Sequence, residues 1–260
     1  MRLQIHQIDA FAERPFEGNP AAVLPLDDWL PDALMQSIAM ENQLSETAFF
    51  VPEGEGYRIR WFTPANEVDL CGHATLASAW LLLNELRPDL QAVNFQSVSG
   101  PLSVFRDGEW LALDFPRRPG APAPEHIPWL TKILGVEPTD ALLSRDLVAV
   151  LDTEEQVRAL APDFGAMADL PGFGVLATAK GNEYDFVSRC FFPKDSIPED
   201  PVTGSAHSTL IPYWSKRLNK KHLSAFQASQ RGGRLRCQDC DNRVLIGGKA
   251  VKIMEGTMLV

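Results

Sequence analysis

Arg60-Trp61-Phe62-Thr63-Pro64, followed by Cys71-Gly72-His73-Ala74, returns later in the chain as Arg189-Cys190-Phe191-Phe192-Pro193 followed by Thr203-Gly204-Ser205-Ala206. The two Arg-x-Phe-x-Pro runs lie 129 residues apart and the two small-residue clusters 132, while Phe95-Gln96-Ser97 is echoed by Phe226-Gln227-Ala228 at 131. Three short matches in order, at nearly one displacement, point to a chain made of two similar halves. The proline-rich stretch from Pro116 to Pro128 reads as the linker. The expected division is therefore Met1–Pro116 for an N-terminal lobe and Arg117–Val260 for a C-terminal lobe, with the last residues free to pack back on the first.

Local signals agree with two lobes of mixed α/β structure. Leu3–Ala10, Ser45–Val51, Tyr57–Phe62, Val93–Val98, Leu102–Phe105 and Leu111–Phe115 are short, partly β-branched or aromatic, and bounded by Gly, Pro, Asp or Asn, so they read as strands. Asp107-Gly108 marks a hairpin. Pro31–Asn42 reads as a helix with Leu30, Leu34 and Ile38 four apart. Gly72–Asn84 is apolar nearly all round, so that helix must be covered on every side, and a curved sheet is the natural cover. Its counterpart, Gly204–Leu218, contains Pro212, which is expected to kink or shorten it. The expected architecture is two pseudo-symmetric lobes, each a curved sheet around a central helix, with the active site in a cleft between them.

Composition narrows the function. The chain has 260 residues, 45% of them hydrophobic, with 24 basic against 34 acidic side chains and a formal net charge of −10. That charge argues against a nucleic-acid partner, which needs a large cationic footprint. The longest uncharged apolar stretch, Ala74–Leu83, is far short of the roughly 18 residues of a membrane span. Met1–Asp9 alternates like a strand and unlike a secretory leader. Four cysteines are too few for a disulfide framework at this length. The expectation is a soluble, cytoplasmic protein with a small-molecule substrate.

The two small-residue clusters carry the chemistry. Each sets a glycine, then a small polar or imidazole residue, then alanine, at the start of a buried helix. The unpaired N–H groups of a first helical turn attract anions, so Gly72, His73, Gly204 and Ser205 are candidate contacts for a carboxylate or a developing enolate. Glu46 opens the apolar run Thr47-Ala48-Phe49-Phe50-Val51, and alternation places Glu46, Ala48 and Phe50 on one face. A partly desolvated carboxylate suits general acid–base work, although a solvated strand end has the same sequence. Asp200, before Pro201, either orients a loop or holds a cationic substrate group. Cys237-Gln238-Asp239-Cys240 has no second ligand pair at zinc spacing and reads as a hairpin tip, so no metal site is expected.

These residues reach a family. Asp9-Ala10-Phe11 with Phe16-x-Gly18-Asn19-Pro20-Ala21-Ala22-Val23 resembles the opening of the PhzF-like phenazine-biosynthesis family. So do Asn42-Gln43-Leu44-Ser45-Glu46-Thr47-Ala48-Phe49, Cys71-Gly72-His73-Ala74-Thr75, Asp200-Pro201-Val202-Thr203-Gly204-Ser205-Ala206-His207 and the glycine pairs at 232–233 and 247–248. The resemblance implies a diaminopimelate-epimerase-like fold, a homodimer, and an isomerisation without cofactor in which a glutamate moves a proton on a small carboxylated, cyclic metabolite. Glu46 matches that glutamate. His73, Asp200 and Ser205 match its polar partners, and Asn19 matches the asparagine beside the site. Diaminopimelate epimerases use two thiols. Here Cys71 stands near one helix start, but the other offers Thr203 and Ser205, so the two-thiol reading fails on residue type. An amino-acid or hydroxy-acid epimerase and a non-catalytic small-molecule binder stand as alternatives.

Overall fold

The computed structural model describes residues 1–169, 171–193 and 197–260. They divide into two compact units, Met1–Phe115 with Ile246–Val260, and Pro116–Leu245.

In the first unit, β1 (Arg2–Ala10) pairs antiparallel with β2 (Asn19–Pro25). After α1 (Asp32–Asn42), β3 (Glu46–Glu53) lies parallel to β2, and β4 (Gly56–Phe62) runs antiparallel to β3. The short β5 (Glu67–Val68) leads into α2 (Gly72–Leu81), after which β6 (Ala92–Ser97) returns parallel to β4. The hairpin strands β7 (Gly100–Asp107) and β8 (Trp110–Pro116) complete the run. The expected turn at Asp107-Gly108 is present, with Gly108 at φ 63°.

The second unit repeats this order of pairings. β9 (Ala121–Pro122) precedes α3 (Ile127–Leu134), and β10 (Asp140–Leu143) pairs antiparallel with β9 and with β11 (Leu147–Val150). After α4 (Glu154–Ala159), β12 (Val175–Lys180) lies parallel to β11 and antiparallel to β13 (Phe186–Phe192). β14 (Ile197–Asp200) leads to α5 (His207–Leu218), and β15 (His222–Gln227) then lies parallel to β13 and antiparallel to β16 (Gly233–Asp239). The hairpin partner β17 (Arg243–Gly248) and the last strand, β18 (Ala250–Leu259), follow. β18 pairs with β1, which explains why the terminal residues belong with the first unit. Both units thus share the series parallel, antiparallel, parallel, antiparallel, with a helix inside each parallel crossover.

Helix burial follows from composition. Nine of the ten residues of α2 are buried, and the helix packs on β1, β2, β3 and β18 of its own unit. A helix with no polar face is stable only in such a position. Beyond Leu81 the chain continues as a π-helical turn, Leu82–Leu86, instead of the α-helix expected to Asn84. The Arg106 guanidinium donates to the Leu83 carbonyl there, and Pro88 stops any continuation.

Two further expectations change. The Pro116–Pro128 segment is not a bare linker, since it carries β9, a 3-10 turn at Pro124–His126 and the first residues of α3. The second core helix starts at His207, not Gly204, and runs unbroken through Pro212. The amide that Pro212 lacks would have bonded the Ser208 carbonyl, and the Arg118 backbone N–H takes that carbonyl instead at 3.0 Å. With the orphaned acceptor satisfied, the proline is tolerated.

Candidate active site

Three side chains from three element starts meet in the first unit. Asn19 opens β2, Glu46 opens β3, and His73 is the second residue of α2. The parallel pairing of β2 with β3 sets Glu46 opposite Ala21, two residues past Asn19. The loop before Asn19 is held by Asp9, whose Oδ2 accepts the Phe16 N–H at 2.9 Å. It closes through Gly18 at φ +66°, where a Cβ would stand 2.1 Å from the Ala10 carbonyl oxygen, so only glycine fits.

Glu46 Oε2 lies 3.2 Å from His73 Nε2, with side-chain exposures of 14% and 4%. The carboxylate is therefore at a buried strand end, not the solvated one that the sequence equally allowed. On the other side of the ring, Asn19 Nδ2 stands 3.1 Å from His73 Nδ1 and Cys71 Sγ 3.5 Å from the same nitrogen. Burial pushes the His73 imidazole down to about 3, so the ring is neutral near pH 7. With Asn19 donating to Nδ1, the ring proton resides on Nε2, in close contact with Glu46 Oε2 but not aligned with it for a hydrogen bond.

In the second unit, Asp200, Thr203 and Gln227 form one buried network. Thr203 Oγ1 donates to Asp200 Oδ2 at 2.5 Å. Gln227 accepts the Thr203 N–H at 2.8 Å and donates to the Asp200 carbonyl at 2.8 Å and to Thr203 Oγ1 at 3.2 Å. One oxygen of the Asp200 carboxylate is thus held by its own loop. That loop holds Gly204 and Ser205 in a tight turn, with bonds from the His207 N–H to the Gly204 carbonyl and from the Ser208 N–H to the Ser205 carbonyl, both at 3.1 Å.

The two helix starts are built alike. Thr75 Oγ1 donates to the Cys71 carbonyl at 2.5 Å, and His207 Nδ1 donates to the Thr203 carbonyl at 2.9 Å, four residues back in each case. The His207 imidazole is pushed down to about 4 by burial and is likewise neutral. Among the described residues, the amides of Gly72, His73 and Ala74, and those of Gly204, Ser205 and Ala206, donate to no backbone acceptor. Each start therefore offers N–H groups to an anion.

Sequence reasoning missed three participants. Gln227 entered only as part of the Phe-Gln echo. Cys71, set aside with the two-thiol reading, lies 3.5 Å from the His73 ring. Cys190, thirteen positions before Thr203, is brought beside it because β13 pairs with β14, register Cys190 to Asp200. Burial holds that thiol well above the ordinary range, so it supplies no thiolate. Cys237 is also buried with its thiol pushed up, and Cys240 and Asn242 form the turn between β16 and β17, as the hairpin reading expects.

The PhzC–PhzF family, described as phenazine biosynthesis-like protein, matches residues 8–119 and 133–256. The chain belongs to this family. It is 51% identical over 259 residues to an uncharacterized isomerase of Pseudomonas aeruginosa, covering 99% of both chains. The crystal structure of a PhzF family phenazine biosynthesis protein from Enterococcus faecalis is similar with a TM-score of 0.97, 51% identity and full coverage of both chains. A hydroxyproline epimerase from Agrobacterium vitis shares the fold alone, with a TM-score of 0.63 at 10% identity over 98% of this chain and 92% of that one. The PhzF-like protein described here is accordingly an isomerase with the epimerase-like α/β fold. Among its described residues no helix is long and apolar enough to cross a membrane.

Proposed function

We propose that this PhzF-like isomerase moves a proton between two carbons of a small carboxylated, cyclic metabolite, without a cofactor, and that Glu46 is the general acid and base. The supporting observation is the buried pair of Glu46 and neutral His73 at 3.2 Å. Glu46 takes a proton from an acidic carbon, the electron pair passes into a conjugated enolate, and Glu46 returns the proton at a second carbon. His73 stays neutral and packs its Nε2 edge against the carboxylate. Asn19 sets that tautomer. Backbone amides at Gly72–His73 and Gly204–Ser205, with the Ser205 hydroxyl, bind the substrate carboxylate and the oxyanion as it forms. Asp200 serves by holding the Gly204–Ser205 turn. The same reading has the protein acting in the cytoplasm as a homodimer, which sedimentation analysis checks.

Epimerisation by paired thiols has less support. The position matching Cys71 is Thr203, and nearby Cys190 is a buried thiol held in its protonated form. The deciding experiment is incubation with candidate cyclic carboxylic acids in deuterated water. Deuterium uptake with a shifted double bond supports the proposal, whereas uptake with optical inversion supports an epimerase. Tight binding with no uptake would leave a binder. Glu46→Gln must abolish the uptake if the carboxylate is the base.

A further inference from the structure

The Glu46 cluster contains more than a proton shuttle requires. One ligand atom each from Glu46, Cys71 and His73 lies within 4.8 Å of the other two, and all three residues are buried or nearly so. Bond lengths to zinc of roughly 2.0–2.3 Å place tetrahedral ligands roughly 3.3–3.8 Å apart. Glu46 Oε2 stands 3.2 Å from Nε2 at one edge of the His73 ring and Cys71 Sγ 3.5 Å from Nδ1 at the other, so seating one ion among the three requires the ring and the Cys71 side chain to turn.

We propose that Glu46, Cys71 and His73 bind a soft divalent cation of the zinc class, and that its occupancy blocks proton transfer by Glu46. The binding half stands on the cluster alone, while the blocking half rests on the function proposed above. The charge count favours a divalent ion. A thiolate and a carboxylate with a neutral imidazole carry two negative charges, so the loaded site is neutral, which a buried position requires. Three protein ligands with a fourth position open to water is also the arrangement of an accessible zinc site and not of a closed structural one.

Proton accounting is simple. The Cys71 thiol loses one proton to solvent as the sulfur–metal bond forms. The imidazole proton moves from Nε2 to Nδ1, freeing Nε2 to ligate, and a half-turn of the Asn19 amide presents its carbonyl to that proton. An outer partner of this kind is the usual support of a metal-bound histidine. One proton released per ion makes apparent affinity rise about tenfold per pH unit below the thiol's titration. A second acidic trio, His6, Glu85 and Glu255, already holds a cation of the chain's own, because Lys252 Nζ lies 2.7 Å from Glu85 and also bonds Glu255. The Glu46 trio differs in containing a thiol, the ligand that selects zinc over calcium or magnesium.

The test is a titration of the metal-free protein with Co²⁺, whose bond to a thiolate produces a charge-transfer absorption. The expected result is one equivalent bound with that band, displacement by Zn²⁺, retention in Cys240→Ser, and loss in both Cys71→Ser and Cys71→Ala. Glu46→Gln should weaken binding by tenfold or more. Absence of the band, or a band that survives both Cys71 variants, overturns the site and leaves an adventitious cation only. The blocking half is read separately. One equivalent of Zn²⁺ should stop deuterium uptake and a chelator should restore it, while uptake undiminished in the Zn²⁺-loaded protein overturns it. Because the cobalt spectrum needs no substrate, failure of the catalytic proposal leaves this measurement intact.

Discussion

Replacing Gln227 by leucine isolates the network that holds the Gly204–Ser205 turn. The side chain is fully buried and makes three hydrogen bonds, to the Thr203 N–H, the Asp200 carbonyl and Thr203 Oγ1. Leucine is close in volume, so little cavity forms and the loss is one of hydrogen bonding. Thr203 Oγ1 keeps Asp200 as its partner. The Thr203 N–H loses this acceptor and the Asp200 carbonyl loses this donor in the interior, at about 1–3 kcal/mol each. Set against a small apolar gain from leucine, the expected destabilisation is about 3–5 kcal/mol. Urea unfolding should show a lowered midpoint with unchanged slope, since the surface exposed on unfolding is nearly the same. Gln96, the corresponding residue of the Phe-Gln echo in the first unit, is exposed, so Gln96→Leu should stay within about 0.5 kcal/mol of the parent. If Gln227→Leu costs under about 1 kcal/mol, water satisfies the two backbone groups and the network does not organise the turn.

Glu46→Gln preserves size and polarity but removes the base; deuterium uptake should fall by about 10²–10⁴-fold with ligand affinity changed far less. Gly18→Ala sets a Cβ 2.1 Å from the Ala10 carbonyl oxygen at a φ of +66°. Thermal unfolding should register about 2 kcal/mol or more of lost stability, together with loss of activity as Asn19 shifts. His73 and His207 are held neutral by burial, at about 3 and about 4, whereas an unfolded histidine takes up its proton near 6.5. Stability from these rings is complete above pH 6.5 and declines as pH falls, because the unfolded chain then binds more protons. The slope approaches about 1.4 kcal/mol per pH unit for each ring, down to about pH 4 where His207 begins to protonate in the folded state. Imidazole NMR resonances of both residues that stay unchanged from pH 8 to 5 are the direct check, and a titration of either near 6.5 contradicts its burial.

Much of this protein is set by composition and spacing, which are properties of the chain itself. The duplicated Arg-x-Phe-x-Pro runs fall at the ends of β4 and β13, and the glycine clusters fall at the start of α2 and in the turn just before α5, because similar sequences fold to similar local structures. The uncharged and almost wholly apolar Ala74–Leu83 run allowed no position for α2 except burial. Glu46 and His73 were recognisable from their motifs. What tertiary structure decided is proximity and burial. Asn19, Glu46 and His73 are 54 residues apart at the extremes, and only the parallel pairing of β2 with β3, together with α2 packed behind them, brings their side chains together. Burial alone makes His73 neutral, a property with no local signal because it depends on which atoms exclude water. The same holds for Cys190 beside Thr203 and for the Arg118 amide that rescues Pro212. In each case a partner distant in sequence satisfies or constrains a group whose own residue type left several fates open.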